Sequence, residues 1–206
     1  QTPLKRKNNF MSIDAKQVKS LRDKTGAGMM DCKKALLETS GDLEKAVDYL
    51  RKSGSAKAEK KGARATKEGM VYSYIHAGGR LGVLIELSCE TDFVAKTDGF
   101  IDLALNIAMQ IAATNPIALS KKDVPKDIVD REKNIYTEQA KESGKPDNIV
   151  EKMVVGRMNK YYAENCLLEQ AFVKDPDKHI HDLLTETVAT LGENITINRF
   201  VRDRKS

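Results

Sequence analysis

The cysteines and histidines are the residues best suited to metal binding or nucleophilic chemistry, and their spacing favours neither. The chain of 206 residues contains three of each. The cysteines lie far apart, at Cys32, Cys89 and Cys166. They form neither a CxxC zinc knuckle nor a disulfide framework. The histidines show no repeated ligand spacing: His76, His179 and His181. We therefore expect reduced thiols, as in a cytosol-like compartment, and no metal ion or other cofactor.

Catalytic motifs are also poorly represented. Gly26 and Gly28 form a GxG, but no predicted strand precedes it and no Lys-Ser/Thr follows it, so it is a weak phosphate loop. The chain has no GxSxG, and Asp92 has no second carboxylate placed to share an acid–base cycle. The sequence therefore predicts a protein that is not an enzyme, with a hydrolase as the disfavoured alternative.

Two residue pairs are more typical of binding surfaces. Asp92-Phe93 follows a predicted strand that ends near Glu90, and the end of a strand delivers the next residues onto a surface loop. Phe93 is then either a plug on its own core or an anchor for a pocket on a partner. Met29-Met30 follows the break at Gly28, and adjacent exposed methionines are common on binding surfaces.

The composition limits the class of protein that must present these pairs. Hydrophobic residues make up 40% of the chain and charged residues 32%, which is enough for a packed core. The sequence contains no run of about 18 apolar residues, so it predicts no membrane-spanning helix. The net charge of +5 is a mild excess that does not single out nucleic acid. Residues 51–67 carry seven basic residues and one acid, but no aromatic residue to stack on bases. We interpret this stretch as a helical or flexible connector with a solvated face, with a phosphate-binding arm as the disfavoured alternative, and expect no direct binding of nucleic acid.

The chain divides into four predicted regions. Residues 1–10 are basic and polar without an apolar core, which indicates a disordered extension or tag rather than a secretory signal. Residues 11–54 predict three short helices, the first capped by Ser12 and the third running from Asp42 to Gly54. Residues 55–69 form the basic linker. Residues 70–202 form a mixed core domain.

The core domain predicts a small antiparallel sheet covered by helices. Strands at 70–76 and 81–87 flank a turn, and a third strand at 195–201 alternates Ile195, Ile197, Arg199 and Val201 with polar residues and Phe200. Helices are expected at 100–113 and 178–191, with a projecting helical hairpin at 125–162 and an irregular stretch at 169–173. The fold class is therefore α+β, a three-helix bundle followed by an α+β core.

The faces of the predicted sheet differ from those of a sheet that is solvated on one side. Leu84 lies opposite the apolar series Val83, Ile85 and Leu87, and Val71 and Ile75 lie opposite Tyr72 and Tyr74. Strands that are apolar on both faces are usually covered on both. Because the chain has no second core unit to provide that cover, we expect a homodimer in which two copies of this sheet face meet.

Two long motifs resemble a known family. Thr25–Leu36 (TGAGMMDCKKAL) and Cys89–Ala95 (CETDFVA) look like the two signatures of translation elongation factor Ts. Shorter matches follow at 143–146 (SGKP), 151–154 (EKMV), 156–158 (GRM) and 192–195 (GENI). The resemblance extends from Met11 to about Arg202, which is nearly the whole chain.

The resemblance implies a guanine-nucleotide exchange factor for elongation factor Tu. It implies that the three helices are similar to ubiquitin-associated (UBA) domains, and that the chain is the short, homodimeric form with one core subdomain. It places such a protein in the bacterial cytoplasm or, alternatively, in an organelle matrix. Two rival hypotheses stay open. A peptide-binding adaptor does not explain the position of Thr91–Val94, and an RNA-binding factor that uses residues 51–67 predicts an affinity that falls steeply with salt.

The resemblance also assigns site residues. Phe93 and Asp92, flanked by Thr91 and Val94, would enter a groove of the GTPase and dislodge its Mg²⁺ ion. The residues that would hold the partner's nucleotide domain lie in the N-terminal unit: Arg22, Met29 and Met30. The core residues that match partner contacts are Leu81, Gly82 and Gln110. Family members often carry His at the position of Gln110, so this chain departs from the family pattern there.

Overall fold

The computed structural model describes residues 13–205. The helices are α1 (Ala15–Thr25), α2 (Met29–Glu38), α3 (Leu43–Lys61), α4 (Asp92–Ala95), α5 (Asp98–Thr114), α6 (Lys126–Lys141), α7 (Asp147–Asn165) and α8 (Ile180–Leu191). The strands are β1 (Glu68–Ile75), β2 (Leu81–Cys89), β3 (Ala171–Phe172), β4 (Asp175–His179) and β5 (Ile195–Arg204). The predicted extension at 1–10 lies outside the described residues, and so does Ser12; the cap of α1 is Asp14, so the prediction of a cap at Ser12 was wrong. Within 13–205, no helix combines the length and the apolar character needed to cross a membrane.

The first three helices form a bundle with its own apolar cluster. Asp14 caps α1 by accepting a hydrogen bond from the backbone N–H of Lys16, and Asp42 caps α3 through the N–H of Lys45. Between α1 and α2 the chain turns at Gly26, whose φ of 68° favours glycine. Leu21 and Leu36 are completely buried at the centre of the bundle.

The third helix is longer than the sequence indicated. It continues through Gly54 to Lys61, whereas we expected it to end at the glycine. The physical reason is packing against α8, because a Cβ atom placed on Gly54 would lie 3.3 Å from the Cβ atom of Ala189. The glycine therefore lets α3 approach α8 closely and does not end the helix. Ala58 then packs against the core of the second unit. The helix therefore connects the two units directly.

The core sheet has the order β1-β2-β5, and both pairings are antiparallel. Its inner face buries Val83, Ile85 and Leu87 against α5 and α8. A β-bulge opposite Glu86 and Leu87 interrupts the pairing of β2 with β5. Because a bulge adds one residue to one strand, the side chains beyond it change face. Val201 consequently lies on the outer face with its partner Leu84, not on the same face as Ile195 and Ile197 as strict alternation predicted.

Two further features complete the α+β fold, which the sequence predicted correctly. Helices α6 and α7 form the expected hairpin and enclose a small cluster of their own: Ala140, Val150, Val154 and Met158. The stretch at 169–173 is not wholly irregular, because Ala171–Phe172 pairs with Asp175–His179 in a two-stranded sheet. For the same reason α8 begins at Ile180 rather than at residue 178.

Candidate functional site

The Asp92-Phe93 pair lies on a single helical turn, α4, that follows the end of β2. Phe93 is 77% exposed, whereas its neighbours Val94 and Ala95 are buried in the main core. The turn is therefore fixed from beneath while the aromatic ring points into solvent. In this structure Phe93 does not fold back as a plug on its own core.

Asp92 is held in its ionised form beside the ring. Its carboxylate accepts a hydrogen bond from Lys96 Nζ at 2.7 Å. This hydrogen bond, and then the charge of Lys96, lower the pKa of Asp92 below its usual range. Both side chains are exposed. The tip of α4 thus presents a negative charge next to an apolar ring.

Thr91 stabilises the start of the turn. Its hydroxyl oxygen accepts from the backbone N–H of Val94 at 3.4 Å, which caps α4. Cys89, at the end of β2, donates its thiol to the carbonyl oxygen of Thr91 at 3.1 Å. Burial, followed by the charge of Glu193, raises the pKa of the Cys89 thiol. The thiol is therefore a neutral structural donor at this site.

Glu193 provides the long-range support for this segment. Its Oε2 atom accepts from the backbone N–H groups of Glu90 and Thr91 at 3.1 and 3.0 Å. Its Oε1 atom accepts from the Thr91 hydroxyl at 2.6 Å. We did not single out Glu193 from the sequence, although it lies in the matched segment 192–195.

The next residue, Asn194, joins this support to the end of α3. The Asn194 side-chain amide donates to the carbonyl oxygens of Arg64 at 2.8 Å and Gly62 at 3.4 Å. Its backbone N–H donates to Glu90 at 2.7 Å. Lys61, the last residue of α3, donates to the carbonyl oxygen of Gly192. We call residues 61–64, 90–91 and 192–194 the junction, because three distant segments meet there.

The other paired motif, Met29-Met30, begins α2. Met30 is 74% exposed and Met29 is 50% exposed. Arg22 is also exposed, in the last turn of α1. Behind the methionines, Asp31 forms an ion pair with Lys57 on α3 at 2.7 Å. The bundle therefore presents an apolar pair at the start of α2 and the side chain of Arg22 in the last turn of α1 to solvent.

The three core positions assigned by resemblance differ in exposure. Leu81 and Gly82, at the start of β2, are partly exposed. Gln110 is completely buried in α5. Its amide nitrogen donates to Gln170 and to the carbonyl oxygen of Ala171, and its amide oxygen accepts from the N–H of Val173. Gln110 therefore ties α5 to the β3–β4 hairpin, and a direct partner contact at this residue stays a prediction.

The outer face of the core sheet carries an apolar patch of four side chains: Val71, Ile75, Leu84 and Val201. Each of them is at least half exposed. Glu86 and Arg199 form an ion pair at 2.6 Å beside the patch. A hydrogen bond from Asn198 and the charge of Arg199 lower the pKa of Glu86. We call these four residues the outer patch.

The described part of the chain brings together no group of three or more His, Cys, Asp or Glu side chains that could hold a metal ion. A cleft of about 220 Å³ is lined by residues of the bundle and of α8. Its lining includes lysines and carboxylates, among them Lys57, Lys178 and Glu186. Phe93 is not among the residues that line this cleft.

Comparison with known proteins identifies the family. The sequence profile of the family "Elongation factor TS" matches residues 5–202. The chain is 60% identical to elongation factor Ts of Geotalea daltonii over 192 residues, which cover 93% of this chain and 89% of that protein. It is 60% identical to elongation factor Ts of Syntrophomonas wolfei over 92% of this chain and 89% of that protein. The corresponding values for Moorella thermoacetica are 56%, 92% and 94%. The chain therefore belongs to the elongation factor Ts family of translation elongation factors.

Proposed function

We propose that this protein is a guanine-nucleotide exchange factor that binds elongation factor Tu·GDP, dislodges Mg²⁺ and promotes GDP release during translation elongation. It makes and breaks no covalent bond, so it is not an enzyme in the chemical sense. The observation that carries the proposal is the exposed Phe93 ring beside the ionised Asp92, on a turn held by buried neighbours and by Glu193.

The proposed mechanism follows from linkage between two ligands of one GTPase. Phe93 wedges into the groove beside the metal, and Asp92 disturbs the groups that order it. Loss of Mg²⁺ removes the charge that neutralises the phosphate oxygens of GDP. Exchange factor and nucleotide then weaken each other's binding by the same factor.

The energy involved requires more than one contact. Weakening GDP about 1000-fold takes roughly 4 kcal/mol of differential binding. Full burial of one Phe side chain gives about 1.5–3 kcal/mol. The remainder must come from other surfaces. Arg22, Met29 and Met30 are suited to hold the partner's nucleotide domain, and Leu81 and Gly82 add contacts from the core.

We assign the two roles, holding the partner and displacing Mg²⁺, to separate regions of the chain. We assign residues 11–54 to a UBA-like domain, 55–69 to a connector and 70–202 to the core, with the hairpin 125–162 projecting from it. The helical course of α3 through Lys61 supports a stiff connector, because the helix packs on α8 and ends at the junction. Anchor and wedge would then reach the partner as one unit.

Assembly belongs to the same proposal. We assign the protein as a homodimer in which the outer patch of one copy covers that of the other. The patch supports this because it is apolar and exposed, so two copies can cover each other. The charged pair of Glu86 and Arg199 lies beside it. A twofold axis brings the same surface of both subunits together. The dimer would bind two GTPases.

The relatives also support a proposal about the site of action. Because they come from bacteria, we place the protein in the bacterial cytoplasm, with an organelle matrix as the alternative. We assign it no membrane and no direct nucleic-acid partner. The exposed lysines and arginines of residues 51–67 are then a solvated surface of the connector.

One assay tests the central proposal. Elongation factor Tu is loaded with fluorescent GDP, and its release into excess unlabelled GDP is followed with and without this protein. The expected result is a large, saturable increase in the release rate at unchanged free Mg²⁺. An unchanged rate at micromolar concentrations of the folded protein would overturn the proposal.

A further inference from the structure

We infer that Glu193 is a positioning residue that holds the Phe93 tip in its binding orientation. This inference deepens the proposed exchange function and rests on it. Glu193 lies 102 residues from Thr91 in the sequence, in the turn between α8 and β5, yet its carboxylate accepts three hydrogen bonds from residues 90 and 91.

The bonded groups are those that set the direction of α4. The two N–H groups belong to the link between β2 and α4, after the sheet pairing ends. The third donor, the Thr91 hydroxyl, is also the oxygen that caps α4. Hydrogen bonds to an ionised acceptor are stronger than neutral ones. Glu193 thus fixes both ends of the link that carries Phe93.

A fixed tip matters because Phe93 has few contacts of its own. Its ring is mostly exposed, so the packing of Val94 and Ala95 holds the turn from one side only. A side chain that must be ordered during binding loses part of its binding free energy to that ordering. Support from Glu193 would remove this loss before the partner arrives.

The same turn connects the tip to the N-terminal unit. Asn194 bonds the carbonyl oxygens of Gly62 and Arg64, just beyond the end of α3. Arg64 in turn reaches Glu90 at 3.5 Å. Because α3 carries the bundle with Met30, the junction sets the placement of the tip relative to that surface. Glu193 is the member that contacts the tip directly.

Glu193→Ala and Glu193→Gln test the inference, with Glu151→Gln on α7 as a control of equal charge change. At saturating concentrations of the variant, we expect Glu193→Ala to lower the maximal rate of GDP release about tenfold, the equivalent of one charge-assisted hydrogen bond. Glu193→Gln keeps one amide oxygen as an acceptor and should lose less. The concentration for half-maximal stimulation should change less than about threefold, because the surface around Met30 is intact.

A second readout does not depend on exchange. The chain contains no tryptophan, so Phe93→Trp supplies a single tryptophan at the tip, whose fluorescence can be excited selectively. In that background, Glu193→Ala should increase the amplitude of fast local motion in time-resolved anisotropy, and Glu151→Gln should leave it unchanged. Thermal unfolding of each variant separates a loosened tip from a loosened fold.

The outcomes are distinct. If the unmodified protein fails to accelerate GDP release, the proposed exchange function is wrong, and anisotropy alone decides whether Glu193 orders the tip. If the unmodified protein is active, a normal maximal rate in Glu193→Ala overturns the inference. A fall in melting temperature with normal exchange per folded molecule and an unchanged anisotropy also overturns it, because Glu193 would then serve only general stability.

Discussion

Phe93 and Phe100 lie seven residues apart and occupy opposite environments: Phe93 is 77% exposed on α4, and Phe100 is completely buried in α5. The same substitution at both positions therefore separates binding from stability. We expect Phe93→Ala to slow stimulated GDP release at least about tenfold with the fold intact, because the lost group is a binding anchor.

Phe100→Ala is the matched control and should cost about 3–5 kcal/mol of unfolding free energy, the usual value for a buried aromatic side chain. Release of fluorescent GDP and denaturant unfolding measure the two effects. A large loss of stability in Phe93→Ala with normal exchange per folded molecule would instead assign Phe93 to the core.

The N-terminal surface should act mainly through affinity. Met30→Ala or Arg22→Ala should raise the concentration needed for half-maximal stimulation more than they lower the maximal rate, because we assign both residues to the surface that holds the partner and not to the Phe93 tip. Lys16→Ala, also exposed on α1, is the control. Titration of the exchange rate separates the two parameters.

Point variants suit this question better than deletion of residues 11–54. Such a deletion would cut α3 where it packs on α8 and would expose the core surface near Ala58. Loss of maximal rate without a change in half-maximal concentration would contradict the assignment of this surface as an anchor.

The outer patch should control the oligomeric state. Sedimentation equilibrium at micromolar concentration should give about twice the 22.9 kDa chain mass. Val71→Glu should produce the monomer, because burying an unpaired carboxylate in an apolar interface is unfavourable. Val155→Glu changes a similarly exposed valine on α7, outside the outer patch, and should leave the dimer intact. A monomeric unmodified protein with full exchange activity would exclude the dimer.

Gln110→Ala should be destabilising. It removes a buried amide that bonds Gln170, Ala171 and Val173, and each buried polar group left unpaired costs about 1–3 kcal/mol. Chemical denaturation measures the loss, and Asn134→Ala, an exposed amide on α6, is the control with an expected change within about 0.5 kcal/mol. Unchanged stability together with weaker binding of elongation factor Tu would favour the direct contact that the family resemblance implies.

The three buried thiols should be unreactive in the folded protein. Burial raises the pKa of Cys166 to about 11, and it raises the pKa values of Cys32 and Cys89 as well. Since the thiolate is the reactive form, a thiol reagent at pH 8 should label the native chain slowly and the unfolded chain quickly at three sites.

The same pKa values set a pH dependence of stability. A folded-state pKa above the unfolded value of 9.0 has no effect below that value, where both states are protonated. Between about pH 9 and 11 the unfolded chain loses protons that the folded chain retains, so stability falls as pH rises. Replacing Cys166 with Ala should reduce this slope in alkaline unfolding curves.

Rapid labelling of the native protein at pH 8 would contradict the burial of these thiols.

The sequence by itself determined the features that depend on neighbouring residues. The cap at Asp42, the break at Gly26, the hairpin of β1 and β2 and the period of α8 are all local patterns, and all are present in the structure. The long motifs around Met29 and Phe93 also identified the family correctly, because they are contiguous. The α+β class could be predicted because the helices and strands show their periods in neighbouring residues.

Only the tertiary structure decided which residues support the site. Nothing in the local pattern joins Glu193 to Thr91 across 102 residues, and alternation alone put Val201 on the wrong face because it carries no sign of the bulge near Glu86. Gln110 is likewise buried by the β3–β4 hairpin, which is too short to show a strand period. Periodicity reports the face of one element, whereas the partner of a polar side chain depends on which elements pack together.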